Sequence, residues 1–194
     1  MGNLERRAGG LVSSASGVVT GYAAVFAPSL SEDLGGFREQ VDRRAFDRSL
    51  VSGKDIRALV DHDSAKVLGR TSINTLRLSV DDHGLKVEID LPNTTYAADV
   101  RALLERGDVS QMSFGFLLNP NGDRWERSAD GSRLRTLLDV DLIEVSLVSI
   151  PAYPDTSAAV RSLRGYESGK QLRDLWLAKH RFRHGDGTMI VSGG

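Results

Sequence analysis

The sequence predicts an α+β fold built mostly from antiparallel strands. Short segments of alternating apolar residues recur along the chain, with few stretches of helical spacing between them. Leu76, Leu78 and Val80 alternate before the turn signal Asp81-Asp-His-Gly84. Leu85, Val87, Ile89 and Leu91 alternate after it, which is the pattern of a β-hairpin. The run from Leu134 to Ile150 is apolar on both faces, as expected of a central strand.

The other elements follow in order. Residues 1–16 are small and polar and read as a flexible lead-in. Val18, Val19, Tyr22 and Val25 give Gly17 to Ala27 a β-rich pattern, and Phe37 to Val41 is expected to pair with it. Asp42 to Leu50 reads as a short helix with Phe46 and Leu50 inward, and Ile56 to Val60 as a short strand. Asn93 or Thr94 is placed to cap a helix ending near Arg106, with Ala97, Val100, Leu103 and Leu104 on one face. Gly107 stands at the left-handed C-cap position, so Arg106-Gly107-Asp108 is a helix end rather than an adhesion motif. Strand 109–118 comes next, then a turn at Asn119-Pro-Asn-Gly122 and a polar loop from Ser128 to Ser132. Pro151 and Pro154 end the apolar run, and Thr156 to Arg164 reads as helical. Past Gly165 the composition turns basic, with Leu172 and Trp176 as the apolar anchors of one helical turn. The expected organisation is a lead-in over 1–16, a folded domain over 17–164 and a basic tail over 165–194.

The chain has 194 residues, with 25 Lys or Arg against 26 Asp or Glu and a formal charge of −1. That length suits one domain with a proper core plus appendages. A balanced charge gives no reason to expect nucleic acid or an anionic membrane as partner. With no cysteine, disulfides, thiolate catalysis and cysteine-based zinc sites are excluded. No apolar run approaches the ~18 residues needed to span a bilayer, and the first residues lack an apolar signal segment. The Asn93-Thr-Thr95 sequon is then expected to be idle.

The candidate chemistry starts at Gln111-Met-Ser-Phe-Gly-Phe116. Met112, Phe114, Phe116 and Leu118 point to one side of a half-buried strand, and Ser113, Gly115 and Leu117 to the other. Gly115 leaves room beside a Ser113 hydroxyl held in fixed geometry, which suits a nucleophile within reach of a base. Ser110, Ser146 and Ser149 are rivals that lack such a glycine-opened surface. His62 follows the 56–60 strand at its polar end and is the candidate base. Glu144 lies in the apolar stretch Asp141-Leu-Ile-Glu-Val-Ser-Leu-Val-Ser-Ile-Pro-Ala152 and requires a partner, since ionised carboxylates are almost never buried alone. His62 is one such partner, and an arginine would be another. A carboxylate that orients a histidine, which in turn activates a serine, is the generalised triad. Asp61, His62 and Asp63 together with Asp81, Asp82 or His83 would suit a divalent cation by ligand type, but three consecutive residues do not easily converge on one ion.

These residues carry a resemblance. The chain resembles the tailed-bacteriophage prohead proteases, serine enzymes that mature viral capsids and whose fold is similar to that of the herpesvirus assembly protease. The matching blocks are Gly21-Tyr-Ala-Ala-Val-Phe26, Gly35-Gly-Phe-Arg-Glu39, Ala45-Phe-Asp47, His62-Asp63, Val67-Leu-Gly-Arg-Thr71, Met112-Ser-Phe-Gly-Phe116, and Glu144-Val-Ser-Leu-Val148 with Pro151-Ala152. They run in family order over roughly Gly17 to Ser157; the specificity lies in the ordered set rather than in any one block. The resemblance implies Ser113 as nucleophile, His62 as base and Glu144 as third member, where the herpesvirus relatives have a histidine. It implies a small, partly closed barrel flanked by helices. Those relatives also place an arginine just after the third member's strand to support the oxyanion hole, whereas this chain reads Ser149-Ile-Pro-Ala-Tyr153 there.

The expected function is therefore a serine endopeptidase with no cofactor and no metal. By resemblance it acts in the host cytoplasm inside the assembling prohead. Its substrates there are the scaffolding segment of the major capsid protein and itself, and it has the capacity to self-associate. Two rival classes are a non-catalytic capsid-assembly or scaffold protein of the same fold, and a β-barrel nucleic-acid binder that uses the basic tail. The second requires aromatic stacking residues on a basic strand face, whereas Phe114 and Phe116 lie in an apolar setting.

Overall fold

Alternation in the sequence becomes a sheet with two different faces. In the computed structural model the described residues are 4–15, 17–28, 31, 34, 36–127 and 131–149, all within the first of two units, residues 1–159. The strands are β1 (Leu4–Ala15), β2 (Val18–Val25), β3 (Arg38–Val41), β4 (Arg57–Val60), β5 (Asp63–Arg70), β6 (Leu76–Val80), β7 (Gly84–Asp90), β8 (Gln111–Leu118), β9 (Asp123–Arg127), β10 (Arg133–Leu137) and β11 (Val140–Val148). The helices are α1 (Asp47–Val51) and α2 (Thr95–Arg106). Eight strands form one sheet in the order β5-β4-β11-β8-β1-β2-β7-β6, and β3-β10-β9 form a second. All pairings are antiparallel except β11 with β4 and β10 with β3. The fold is thus α+β and mostly antiparallel. No closed barrel forms among the described residues, because the eight-strand order ends at β5 and β6 without joining them.

The core gathers on one face of β8. Met112, Phe114 and Phe116 are buried there with Val145, Leu147, Val19 and Ile89. Phe46 meets Phe114 edge-on at 5.4 Å, and Phe114 stacks on Phe116 at 5.3 Å, both in the range favourable for aromatic pairs. The β6–β7 hairpin forms as expected, with Asp81 Oδ1 accepting the backbone N–H groups of His83 and Gly84. Helix α2 also forms as expected, from Thr94 at its N-cap to a left-handed Gly107.

Four sequence expectations differ from the structure. Residues 4–15 form β1 rather than a flexible lead-in. Phe37 to Val41 does not lie beside β2; residues 38–41 run parallel to β10. The Leu134–Ile150 run is two strands, because Leu138 and Asp139 both turn their N–H groups to the Gly122 carbonyl (2.7 and 3.0 Å). Strand β8 is buried on both faces rather than half-buried. The predicted helix at 156–164 and the basic tail lie outside the described residues.

A buried charge cluster explains the first two differences. Glu39 is buried and needs cations. Arg7 of β1 donates to it through Nε (2.5 Å), and Arg135 of β10 through Nη1 (3.1 Å). The same two guanidinium groups hold Glu5 (2.8 and 2.6 Å), and Arg135 Nε also reaches Asp123 (2.8 Å). Strands β1 and β3 thus take the positions where their buried charges are neutralised. Burial pushes the Glu5 carboxyl up, but the adjacent Arg135 and Arg7 outweigh it and hold its pKa below the ordinary 4.5. A depressed carboxylate stabilises the fold above its unfolded-state value, and that contribution disappears as the pH falls through the folded-state value. Glu5→Gln is therefore expected to cost about 3–5 kcal/mol at pH 7, since it breaks a buried pair, and to flatten the further loss of stability below pH 4.5. Urea unfolding at pH 7 and pH 3.5 measures both. An acid loss as steep in the variant as in the wild type would remove Glu5 as its source.

Candidate active site

His62 is presented by a strained turn. The chain passes from β4 to β5 through Asp61 and His62, at φ 47° and 60°. Positive φ at both central residues is the mark of a type I′ hairpin turn, and Asp and His tolerate the left-handed region better than most residues. The turn is fixed from beneath by β11 and the residue after it. Asp61 N–H donates to the Leu147 carbonyl (2.9 Å), Ser149 N–H to Asp61 Oδ1 (2.7 Å) and His62 N–H to Ser146 Oγ (3.3 Å). The imidazole is thereby laid over β11.

Glu144 and Ser146 lie two apart on β11 and share a face. Their Cα partners on β8 are Gly115 and Ser113. Glu144 is 4 % exposed, yet its oxygens are engaged. Oε1 lies 2.7 Å from His62 Nδ1, and Oε2 accepts a hydrogen bond from Ser146 Oγ at 2.6 Å. Arg6 Nε stands 3.8 Å from Oε1. A carboxylate against Nδ1 favours the tautomer that keeps Nε2 as an acceptor. That Nε2 is buried and has no hydrogen-bond partner.

Gly115 makes this arrangement possible. A Cβ at that position would fall 2.3 Å from Glu144 Oε1 and 3.0 Å from its Cδ. The room that the sequence predicts at Gly115 is filled by the Glu144 carboxylate. Gly115→Ala should thus push the carboxylate off His62, and a displacement of that kind costs on the order of 100-fold in activity. Peptide turnover, with circular dichroism to establish the fold, measures this. Full activity would mean that the His62–Glu144 contact is dispensable.

Ser113 is 0 % exposed rather than beside open space. Its Oγ donates to the Arg7 carbonyl of β1 at 2.6 Å. The structure therefore brings His62 and Glu144 into direct contact, and it sets Ser113 across one rung from Ser146. Among the described residues no hydrogen bond joins Ser113 to His62. Two participants were not singled out for this site from sequence. Ser146, weighed only as a rival nucleophile, braces Glu144 and the His62 backbone; its spacing of two from Glu144 was the available signal. Arg6 sits in the stretch read as a lead-in, where nothing marked it.

Among the described residues no group of three or more His, Asp or Glu is placed to hold a metal ion, and no helix is long and apolar enough to cross a membrane. Phe114 and Phe116 are buried in the core, which removes them as a stacking platform for bases. Residues 3–171 match the model of a family described as caudovirus prohead serine protease. No curated protein and no solved structure matches the chain.

Proposed function

The chain belongs to the caudovirus prohead serine protease family, and from that premise we propose that it is an endopeptidase using Ser113 as nucleophile, His62 as general base and Glu144 as the orienting carboxylate. Membership itself carries the coarser role, a serine peptidase of capsid maturation in the assembling prohead. The observation that supports the residue assignment is the buried, unpartnered His62 Nε2 on an imidazole whose Nδ1 is held by Glu144. An acceptor in that state is ready for a hydroxyl proton, and Ser113 lies on β8, the strand next to the β11 that carries Glu144.

In the reaction, Ser113 Oγ attacks the scissile carbonyl and passes its proton to His62 Nε2. Glu144 stabilises the imidazolium. His62 returns the proton to the leaving amine, which departs and leaves an acyl-enzyme. Water then attacks the ester, its proton goes to His62, and Ser113 is regenerated. The substrates in this reading are the scaffolding segment of the major capsid protein and the chain itself. Extended peptide would join by strand addition, with the β6–β7 hairpin and the loops near residues 119–133 as walls. The similarity to the partly closed barrel of the herpesvirus assembly protease belongs to the same reading.

A serine-reactive phosphonate probe should label Ser113, and co-expression with the cognate capsid protein should yield fragments of defined mass. Labelling at another serine, or intact capsid protein in the presence of folded chain, would contradict the assignment.

A further inference from the structure

The two ends of β1 have different partners. Residues 12–15 pair with β2, whereas Leu4 to Ala8 pair only with β8. The register slips between Ala8 and Leu11, so regular pairing with β8 stops just past the rung where Ala8 faces Ser113. Leu4–Ala8 is thus a short strand added to the β8 side of the β5-β4-β11-β8 array that carries His62, Ser113 and Glu144. An extended peptide joining this array by strand addition would need that same row of β8 backbone groups.

The nucleophile's hydrogen bonding reports the consequence. A serine hydroxyl has one proton to donate. Here it goes to the Arg7 carbonyl at 2.6 Å, and His62 Nε2 is left buried without a partner. The segment is also latched at its charged residues. Glu5 and Arg7 enter the buried cluster with Glu39 and Arg135, and Arg6 lies near Glu144. Pulling the strand away would leave those charges buried and uncompensated, so it does not leave on its own.

We propose that Leu4–Ala8 occupies the substrate strand position on β8 and holds Ser113 away from His62, so that the chain is latent until an extended peptide or a change in the charge cluster displaces the strand. The inference rests on the protease reading and adds its regulation. The competent state is the fraction of molecules with the strand released. The rate of nucleophile modification scales with that fraction.

The 194-residue chain allows a reversible test because it contains no cysteine. Leu4 and Leu117 are direct cross-strand partners, and directly opposed strand residues stand about 4.5–5.5 Å apart at Cα, within disulfide range. In the Leu4→Cys/Leu117→Cys protein, oxidation should slow phosphonate labelling of Ser113 by about tenfold or more, and reduction should restore the wild-type rate. Glu39→Gln, which weakens the grip on Arg7, should label faster than wild type. If it does not fold, the disulfide pair decides alone. Equal rates in oxidised and reduced protein, with the bond verified by mass, would overturn the latency while leaving the protease intact. No labelling of Ser113 in any of these proteins would overturn the protease reading and this inference with it.

Discussion

Ser113→Ala is expected to abolish peptide cleavage, with a fall in kcat of roughly 10⁶-fold, the scale seen when a serine nucleophile is removed from a comparable triad. The same change should cost only about 1 kcal/mol of stability, the usual net value of one hydrogen bond. The bond in question is the one from Ser113 Oγ to the Arg7 carbonyl. The methyl group of alanine fits where the serine Cβ already sits, and no charge is uncovered. Turnover of a peptide substrate and the urea midpoint separate the two effects. An Ala variant that still cleaves at a comparable rate would remove Ser113 from the role.

Glu144→Gln should reduce kcat by about 10⁴-fold, as losing the carboxylate does in a comparable triad. The amide keeps the shape of the side chain but loses the negative charge opposite His62 Nδ1. It also presents an N–H₂ group where Ser146 Oγ or His62 now finds an acceptor. The effect should appear in kcat with little change in KM, because the carboxylate acts on the imidazolium formed during reaction rather than on bound peptide. A drop of only a few-fold would make Glu144 a structural partner of Arg6. Asp141 would be a poor substitute, since it is tied to Arg48 and Lys54.

Period-two alternation made β6, β7 and β8 legible, and the cap residues Thr94 and Gly107 bounded α2. The contact of Glu144 with His62 was legible for a physical reason, because an acid in an apolar strand must find a partner. The burial of Ser113 is not legible in the sequence because the neighbour that covers it, β1, reads as small and polar. Its glycines and serines hide the strand, and its charged residues look like solvent-facing ones. Glu5 and Arg7 are buried only because Glu39 and Arg135, far away in sequence, meet them. The break between β10 and β11 was hidden likewise, since it depends on the Gly122 carbonyl rather than on any local turn residue. Pairing across long separations leaves no local periodicity to read.

Those separations govern when the site can exist. The Ser113–Arg7 bond spans 106 positions, Arg135–Glu5 spans 130, and His62–Glu144 spans 82. Closing loops of that length is slow, and contact order of this kind places a chain among the slower folders. During synthesis the amino-terminal strand leaves the ribosome long before β8, β10 or β11. Its charges stay hydrated until the last strands arrive. A truncated or stalled product that ends before Glu144 has a serine and a histidine but no carboxylate to orient them. Only a polypeptide translated through β11 can acquire the His62–Glu144 contact, so on the proposed triad an incomplete chain would have no oriented base.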